Sequence, residues 1–183
     1  MARDDLPVTG TLSDLARVTI DEIEIGHLTQ LAGWSNFEAA AERLLQTLGV
    51  VLPADYRMPA RTYHTPVRAG ATTVWRVAPD RVLVHSAAEL GLASSPDVAV
   101  LDLSQARVCL SVTGPGAAAL LSRVVALDFS GTAFPTGTFA QTGLHHVGVL
   151  IERTGRETFL VFIPTTWARS LTELLIDHLL VAA

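Results

Sequence analysis

The chain has 183 residues, of which 49% are hydrophobic and only 17% are charged, and its mean hydropathy is +0.38. Soluble domains usually carry about 25% charged residues, so either the core is unusually large or a partner covers part of the apolar surface, and we favour the partner. The 13 basic residues are all arginine, and without lysine a P-loop and Schiff-base chemistry are excluded.

The net charge of −5 and the single cysteine exclude further classes of function. The arginines are scattered from Arg3 to Arg169 without forming a basic stripe, so nucleic-acid binding is not expected. Cys109 alone can form neither an internal disulfide nor a Cys-rich metal site. Residues 1–7 lack the apolar run of a signal peptide, and no apolar stretch reaches the roughly 18 residues of a membrane span. The sequence therefore predicts a cytoplasmic protein without membrane attachment.

The first half of the chain predicts two strands and a helix after a flexible N-terminal arm at residues 1–14. Residues 18–25 alternate between apolar and polar side chains, which is typical of a half-exposed strand with a bulge. Residues 28–34 are expected to return as the neighbour of this strand. A helix is predicted to begin at Asn36 and to end at Gly49, because the apolar residues between them recur at helical spacing.

A proline-containing stretch separates this helix from a hairpin. Residues 52–70 contain three prolines and no clear periodicity, which predicts a long loop. Residues 73–77 and 81–85 alternate on either side of an Ala-Pro-Asp turn and predict a β-hairpin. Residues 86–97 are expected to form a loop or a weak helical turn.

The second half predicts a similar succession of elements. Strands are expected at residues 98–103 and 107–113, and Pro115 is expected in the first turn of a helix that continues to Val125. A loop follows, and a last helix is predicted to begin near Thr165. The strands predicted between them are residues 138–143, 147–153 and 157–163, of which the last two are joined by a Thr-Gly turn.

The common order of elements predicts a pseudo-duplicated α+β fold, with antiparallel sheets and helices on one face. A chain of this length is long enough for one domain built of two half-domains. We therefore expect a single domain over residues 15–183, with one half at residues 15–97 and the other at residues 98–183.

Six histidines are candidates for a metal site. His145 and His146 are adjacent, and neighbours on a strand point to opposite faces, so we do not expect them to share a metal ion. The others stand at no ligand spacing and have no cysteine or acidic pair beside them; they are His27, His64, His85 and His178. The sequence predicts no metal site.

Acidic residues are candidates for acid–base chemistry. Asp21, Glu22 and Glu24 are explained by the solvated face of an amphipathic strand. Asp102 and Asp128 each interrupt an apolar segment, and we expect each side chain to turn or cap the chain at that point.

The sequence Gly114-Pro115-Gly116 precedes a predicted helix and could offer backbone N–H groups to a phosphate. Proline removes one of these donors, and neither a lysine nor a hydroxyl follows. A tight turn from strand to helix is therefore expected.

No residue stands in the sequence context of an activated nucleophile. Cys109 lies in mid-strand and is expected to be an inert, packed thiol. Trp75 and Trp167 are amphipathic anchors, expected either in the core or at an interface. Three serines have no histidine near them in sequence, although a triad assembled by the fold stays open: Ser104, Ser111 and Ser122. The sequence predicts no catalytic, cofactor-binding or metal-binding residue in this chain.

Short motifs follow one another in a fixed order from about Val18 to the C-terminus. They are Leu48-Gly49-Val50, Val74-Trp75, Pro79-Asp80-Arg81, Asp102-Leu103-Ser104, Gly114-Pro115-Gly116-Ala117, Leu127-Asp128, Phe134-Pro135-Thr136-Gly137 and Phe139-Ala140-Gln141-Thr142. This ordered set resembles the gamma subunit of heterotetrameric sarcosine oxidase, a small relative of the folate-dependent aminomethyltransferases.

The resemblance implies a fold like the folate-binding part of the glycine-cleavage aminomethyltransferase, at about half its length. It also implies alpha, beta and delta subunits as partners, in a complex that oxidises the N-methyl group of sarcosine. The implied products are glycine, hydrogen peroxide and either formaldehyde or methylene-tetrahydrofolate. FAD, FMN, NAD and tetrahydrofolate are expected on the partners and not on this chain, which the resemblance makes a non-catalytic subunit.

Two other functions stay open. A stand-alone folate-binding or aminomethyl-transferring protein would need a pterin pocket with an acidic anchor, for which Asp102 and Asp128 are the candidates. A homo-oligomeric scaffold would instead bury apolar surface against its own copy.

Overall fold

The computed structural model describes residues 17–52 and 65–180. The predicted arm at residues 1–14 and most of the predicted loop at residues 52–70 lie outside them. The strands are β1 Thr19–Ile23, β2 His27–Gly33, β3 Val67–Ala69, β4 Thr72–Ala78, β5 Arg81–Ser86, β6 Val98–Asp102, β7 Arg107–Thr113, β8 Thr138–Leu144, β9 Val147–Gly155 and β10 Thr158–Pro164. The helices are α1 Phe37–Thr47, α2 Ala117–Val124 and α3 Ala168–Leu180, the last preceded by a 3₁₀ turn at Thr165–Trp167.

These elements form two compact units, and the α+β prediction is confirmed. One unit comprises residues 25–105, and the other comprises the residues before and after that stretch. In the described ranges each unit has one five-stranded antiparallel sheet, in the order β3-β4-β5-β2-β6 in the first and β1-β7-β10-β9-β8 in the second. No helix in the described ranges is long and apolar enough to cross a membrane.

In the unit of residues 25–105, α1 packs on one face of the sheet. Its apolar residues recur at helical spacing, so Phe37, Ala41 and Leu45 all point into the core. There they join Leu31 of β2 together with four valines on the neighbouring strands: Val74, Val82, Val84 and Val98. Each buried Phe, Leu or Val side chain contributes about 1.5–3 kcal/mol relative to an exposed one, so this packing is what holds α1 on the sheet.

The ends of α1 agree with the sequence prediction. Asn36 is at the N-cap position, although its side-chain amide donates to Asp97 Oδ1 at 3.2 Å and does not cap the helix. Gly49 follows the C-cap with φ of 73°, a left-handed conformation that glycine adopts without steric cost. This turn lets the N–H of Val50 donate back to the carbonyl of Leu45 at 3.0 Å.

In the other unit, the central strands β9 and β10 bury side chains on both faces. Residues 149–153 of β9 and 161–163 of β10 are all buried. This run includes two charged residues, Glu152 and Arg153, which are 0% and 7% exposed. Buried charges are rare without partners, so both positions are unusual within an otherwise apolar strand.

A loop at residues 128–137, here called the 128–137 loop, places two phenylalanines in the core of this unit. The ring of Phe129 meets the rings of Phe134 and Phe159 edge-on, with centroids 5.7 Å and 5.5 Å apart. Edge-on aromatic pairs of this kind add about 0.5–1.5 kcal/mol to the free energy of burial. The loop is therefore part of the core packing and not a surface connection.

The predicted pairing of the first two strands is wrong. β1 pairs with β7, Ile20 opposite Val112, whereas β2 lies between β5 and β6. An alternating pattern shows which side chains face the core, but it does not choose the partner strand. The partner of each strand is therefore known only from the packed structure.

The predicted half-boundary near residue 97 also differs from the structure. β6 lies beyond that boundary in sequence, yet it pairs with β2 from Thr29↔Asp102 to Gly33↔Val98. β1 conversely lies before the boundary and pairs in the sheet of the later strands. The sheet of the earlier strands thus includes β6, and the sheet of the later strands includes β1. The expectation of one domain over residues 15–183 stays a prediction.

Smaller differences concern turns. Pro115 lies before the N-cap Gly116 of α2 and not within its first turn. β9 continues through Gly155, so the hairpin to β10 turns at residues 156–157 and not at Thr154-Gly155. β3 is a short strand inside the predicted loop at residues 52–70, and residues 87–97 contain no helix.

Candidate functional site

A surface cleft lies where the N-terminal end of α1 meets the turn between β4 and β5. It encloses about 430 Å³ and is lined by residues 34–39 and by Pro79 and Asp80. All of these residues belong to the unit of residues 25–105, so the cleft is formed by one unit alone. Sequence reasoning did not single out this place.

Trp34 stands at this cleft with 69% of its surface exposed. The two tryptophans that the sequence indicated as anchors behave differently from each other: Trp75 is buried in β4, and Trp167 is half exposed. An indole ring has a large apolar face and a single N–H donor, a combination enriched at protein interfaces. Trp34 therefore gives the cleft a solvent-exposed aromatic face.

The backbone around Trp34 is held by a close approach at Gly33. An added Cβ at Gly33 would lie 2.2 Å from the backbone oxygen of Asp97, so no larger residue fits. The N–H of Gly33 donates to the carbonyl of Asp80 at 3.1 Å, and the N–H of Phe37 donates to the carbonyl of Trp34 at 2.9 Å. The segment that carries Trp34 is thus tied to the β4–β5 turn and to the start of β6.

An ion pair joins Glu38, which lines the cleft, to Arg76 of the neighbouring strand β4. The guanidinium of Arg76 on β4 donates to Glu38 Oε1 of α1 at 2.6 Å and to the carbonyl of Pro79 at 2.7 Å. The Arg76 side chain is mostly covered, whereas the Glu38 side chain is 48% exposed, so screening by water limits the pair to about 1 kcal/mol. Its structural effect is to connect α1 with the turn at Pro79.

Asp80 is the other carboxylate of the lining. Its side chain is exposed and has no ion-pair partner among the residues that the structure describes. The lining contains neither a histidine nor a cysteine, and of its two carboxylates that of Glu38 is paired with Arg76. The cleft thus presents an aromatic ring and an exposed carboxylate, which are groups that can contact a ligand or a partner.

The two adjacent histidines do not lie on a strand as predicted. His145 and His146 form the two-residue turn between β8 and β9, where the backbone of His145 has φ of 55° and its N–H donates to the carbonyl of Val124 at 3.3 Å. Their rings lie 4.0 Å apart between centroids, so they do not point to opposite faces. A metal site also needs at least a third ligand residue. The described ranges contain no set of three or more His, Cys, Asp and Glu residues able to hold a metal.

The other described histidines are His27, His85 and His178, and His27 lies opposite Ser86 in the pairing of β2 with β5. His178 Nδ1 is 2.8 Å from the carbonyl of Leu174 on the preceding turn of α3. The ring of His85 lies 6.2 Å from that of Trp75 between centroids. His64 lies outside the described residues, and the prediction that this chain binds no metal stays a prediction.

Asp102 and Asp128 turn the chain, as predicted. Asp102 Oδ1 accepts hydrogen bonds from the backbone N–H and the hydroxyl of Ser104, at 2.9 Å and 2.5 Å, and these bonds lower the pKa of the carboxyl. Asp128 Oδ1 accepts from the N–H of Ser130 at 2.8 Å. Both carboxylates are exposed and engaged in local turns, which is the geometry of a turn residue and not of a buried anchor.

The three serines make no described hydrogen bond to a histidine. Ser104 donates its hydroxyl to Asp102 and accepts the N–H of Leu28 at 3.1 Å. Ser122 donates to the carbonyl of Ala118 at 2.8 Å, and Ser111 lies opposite Leu160 in the sheet. A nucleophilic serine needs a base beside its hydroxyl, so the triad that the sequence left open is not formed by these contacts.

The remaining acidic and glycine-rich candidates have structural roles. Asp21, Glu22 and Glu24 are exposed on or beside β1, an edge strand, where charges discourage unwanted strand pairing. Gly114 joins β7 to α2 and donates its N–H to the carbonyl of Glu157 at 3.0 Å. The Gly-Pro-Gly stretch is thus a tight turn, as predicted.

We expect Cys109 to be unreactive toward a maleimide in the native protein at mildly alkaline pH. Burial raises the pKa of its thiol to about 12, and the nearby Glu152 carboxylate adds to the rise. Because the folded pKa exceeds the unfolded value, the resulting stabilisation is present below about pH 8.5 and is lost as the pH rises toward 12. Mass spectrometry should find less than about a tenth of the native protein labelled in the time that labels the denatured chain completely. Rapid labelling of the native protein would contradict the inert role.

The buried Arg153 was also missed by sequence reasoning. The signal was available, because two adjacent charged residues interrupt the apolar run of β9. Its guanidinium donates to the carbonyls of Phe129 and Phe134 at 3.0 Å and 2.8 Å, and also to those of Gly155 and Arg156. It lies 5.2 Å from the centroid of the Phe159 ring. Arg153 therefore organises the 128–137 loop and is not available for binding.

Comparison with known proteins gives matches to solved structures. No family model matches the sequence, and no curated protein matches it. A chain of the heterotetrameric sarcosine oxidase from Corynebacterium sp. U-96, solved with pyrrole 2-carboxylate, aligns at 25% identity with a TM-score of 0.72. The alignment covers 94% of this chain and 87% of that chain, so the two are of similar length.

The glycine cleavage system aminomethyltransferase T from Bartonella henselae shares the fold at lower similarity. It aligns at 20% identity with a TM-score of 0.57, over 91% of this chain but only 48% of that protein. The chain thus spans about half the length of the aminomethyltransferase. The predicted fold class and the resemblance to a sarcosine oxidase subunit are both confirmed by these likenesses.

Proposed function

We propose that this chain is the non-catalytic gamma subunit of a heterotetrameric complex of the sarcosine oxidase type. The observation that carries the proposal is the end-to-end likeness to one chain of such a heterotetramer, over 94% of this chain and 87% of the other. A free-standing enzyme of the aminomethyltransferase type would be about twice as long, since the likeness there covers 48% of the relative.

In this function the chain supplies surface and not chemistry. The complex oxidises the N-methyl group of sarcosine to give glycine, hydrogen peroxide and either formaldehyde or methylene-tetrahydrofolate. The flavins, NAD and tetrahydrofolate are held by the alpha, beta and delta subunits. Three observations support this division of labour: the low charged fraction of 17%, the exposed Trp34, and the engagement of Asp102 and Asp128 in local turns.

Co-expression with the large flavin-containing subunits tests the proposal. We expect the chain to co-purify with them in equal proportion and the assembly to produce hydrogen peroxide from sarcosine, while the isolated chain produces none. If the chain stays in a separate fraction while the other subunits assemble and turn over without it, the proposal fails.

The alternative is a stand-alone folate-binding or aminomethyl-transferring protein, which the shared fold with aminomethyltransferase T favours. Such a protein would bind tetrahydrofolate by itself. Titration calorimetry of the isolated chain with tetrahydrofolate separates the two functions, because we expect no heat of binding from the subunit. If binding occurs and one of the two carboxylates anchors the pterin, the substitution at that residue, Asp102→Asn or Asp128→Asn, should weaken the binding.

A further inference from the structure

We propose that the cleft at Trp34 is a docking site for an arginine side chain of a partner subunit. The guanidinium stacks on the indole of Trp34 and pairs with the carboxylate of Asp80. This inference rests on the proposed function, because it takes the partner to be another subunit of the complex. It goes further by naming the surface of this chain that meets the partner and the chemistry of the residue that it receives.

The exposure of Trp34 is the first step. With 69% of its surface exposed, the ring contributes little to the fold of its own unit, although it is among the most costly side chains to leave in water. A large aromatic face beside a cleft is the kind of anchor around which interface energy concentrates.

The charge of the lining is the second step. Two carboxylates border the cleft, and Arg76 already neutralises that of Glu38 at 2.6 Å. Within the described ranges, Asp80 has no partner for its own carboxylate. The lining therefore keeps one uncompensated negative charge close to an aromatic ring, and the complementary group is a cation that can also stack.

Arginine satisfies both requirements better than lysine does. Its guanidinium is planar and weakly hydrated, so it can lie flat on an indole and donate two parallel hydrogen bonds to a carboxylate. The chain itself contains 13 arginines and no lysine. If this reflects the composition of its genome, the partner subunits carry their positive charges on arginine as well.

A small cationic ligand fits the cleft less well. Two polar groups of the lining are engaged within the fold: the Asn36 amide donates to Asp97, and the Asp80 carbonyl accepts from Gly33. A single exposed carboxylate holds a small cation weakly, because water screens the interaction. The side chain of a bound subunit is not limited in this way, because the rest of the interface holds it in place.

The cleft is also formed before the partner arrives. Gly33 packs against the backbone of Asp97, and Arg76 connects Glu38 to the β4–β5 turn. Binding then needs little ordering of this surface, which lowers its entropic cost.

The test measures the affinity of variants of this chain for the assembled partner subunits, by titration calorimetry or surface plasmon resonance. We expect Trp34→Ala to weaken binding about tenfold or more and Asp80→Asn about threefold, the latter with a smaller dependence on salt. The matched controls are Val51→Ala, at an exposed apolar residue outside the lining of the cleft, and Glu173→Gln, at an exposed carboxylate paired with Arg169. Both controls should change the affinity less than twofold.

A photo-reactive amino acid in place of Trp34 identifies the occupant directly. We expect it to cross-link to an arginine-containing peptide of a partner subunit. A cross-link to this same chain, together with loss of self-association in Trp34→Ala, would mean that a second copy occupies the cleft and would overturn the proposal.

The outcomes also separate this proposal from the proposed function. If the wild-type chain assembles and both cleft variants assemble with equal affinity, the cleft is not the docking site, although the subunit function stands. If the wild-type chain binds none of the partners, both are wrong. Circular dichroism of Trp34→Ala and Asp80→Asn should match the wild type, since neither side chain packs in the core.

Discussion

Replacing Arg153 by methionine is expected to destabilise the protein by about 3–5 kcal/mol. Arg153 is 7% exposed, and its guanidinium donates to four backbone carbonyls, two of which belong to the 128–137 loop. Methionine fills much of the volume but donates nothing, so the carbonyls of Phe129 and Phe134 lose a buried donor. Chemical denaturation followed by circular dichroism measures the loss of unfolding free energy.

Two further variants isolate the cause. Arg156→Met removes an exposed arginine from the same hairpin and should cost less than about 0.5 kcal/mol. Arg153→Lys keeps the charge but loses the planar fork, and it should lie between the wild type and the methionine variant. If Arg153→Met and Arg156→Met unfold alike, the guanidinium does not hold the loop.

Gly114→Ala is expected to destabilise the protein by about 2–4 kcal/mol. Gly114 has φ of 117°, a conformation that side chains rarely adopt, and an added Cβ would lie 2.1 Å from the carbonyl oxygen of Arg17. The obstacle is backbone, so it cannot rotate away as a side chain would. Relief requires the segment before β1 to move away from the turn between β7 and α2.

Gly148→Ala is the matched control for this substitution. Gly148 lies in β9 of the same unit, and an added Cβ would meet nothing within 4 Å. We expect its unfolding free energy to stay within about 0.5 kcal/mol of the wild type or to rise slightly, because alanine loses less chain entropy than glycine. Equal stability of the two variants, measured by the same denaturation experiment, would show that the contact with Arg17 yields easily.

The local elements could be predicted from the sequence because short-range physics dominates them. The spacing of Phe37, Ala41 and Leu45 specifies one face of α1, and Gly49 ends it. The hairpin of β4 and β5 follows from two alternating runs around Pro79 and Asp80. The turn functions of Asp102 and Asp128 were predictable for the same reason, since each carboxylate reaches a backbone N–H two residues along the chain.

The candidate site could not be predicted in this way. Trp34 follows β2 directly and could equally have been a buried residue, as Trp75 in β4 is. Whether an aromatic side chain is buried depends on what packs over it, which is not a property of its neighbours in sequence. Whether Asp80 has an ion-pair partner among the described residues likewise depends on Arg76, which pairs instead with Glu38, 38 residues earlier in the chain.

The sequence by itself determined the α+β class, most strand and helix positions, and the resemblance that the likeness to a chain of a heterotetrameric sarcosine oxidase then confirmed. Tertiary structure alone decided that β1 joins β7 and that β6 joins β2, and it alone placed Arg153 beneath its loop and Trp34 beside a cleft. The physical reason is the distance along the chain over which each kind of interaction acts. Helix periodicity, turn chemistry and strand alternation act over a few residues, whereas strand partners, buried charges and exposed surfaces are set by contacts between distant segments that compete for the same core.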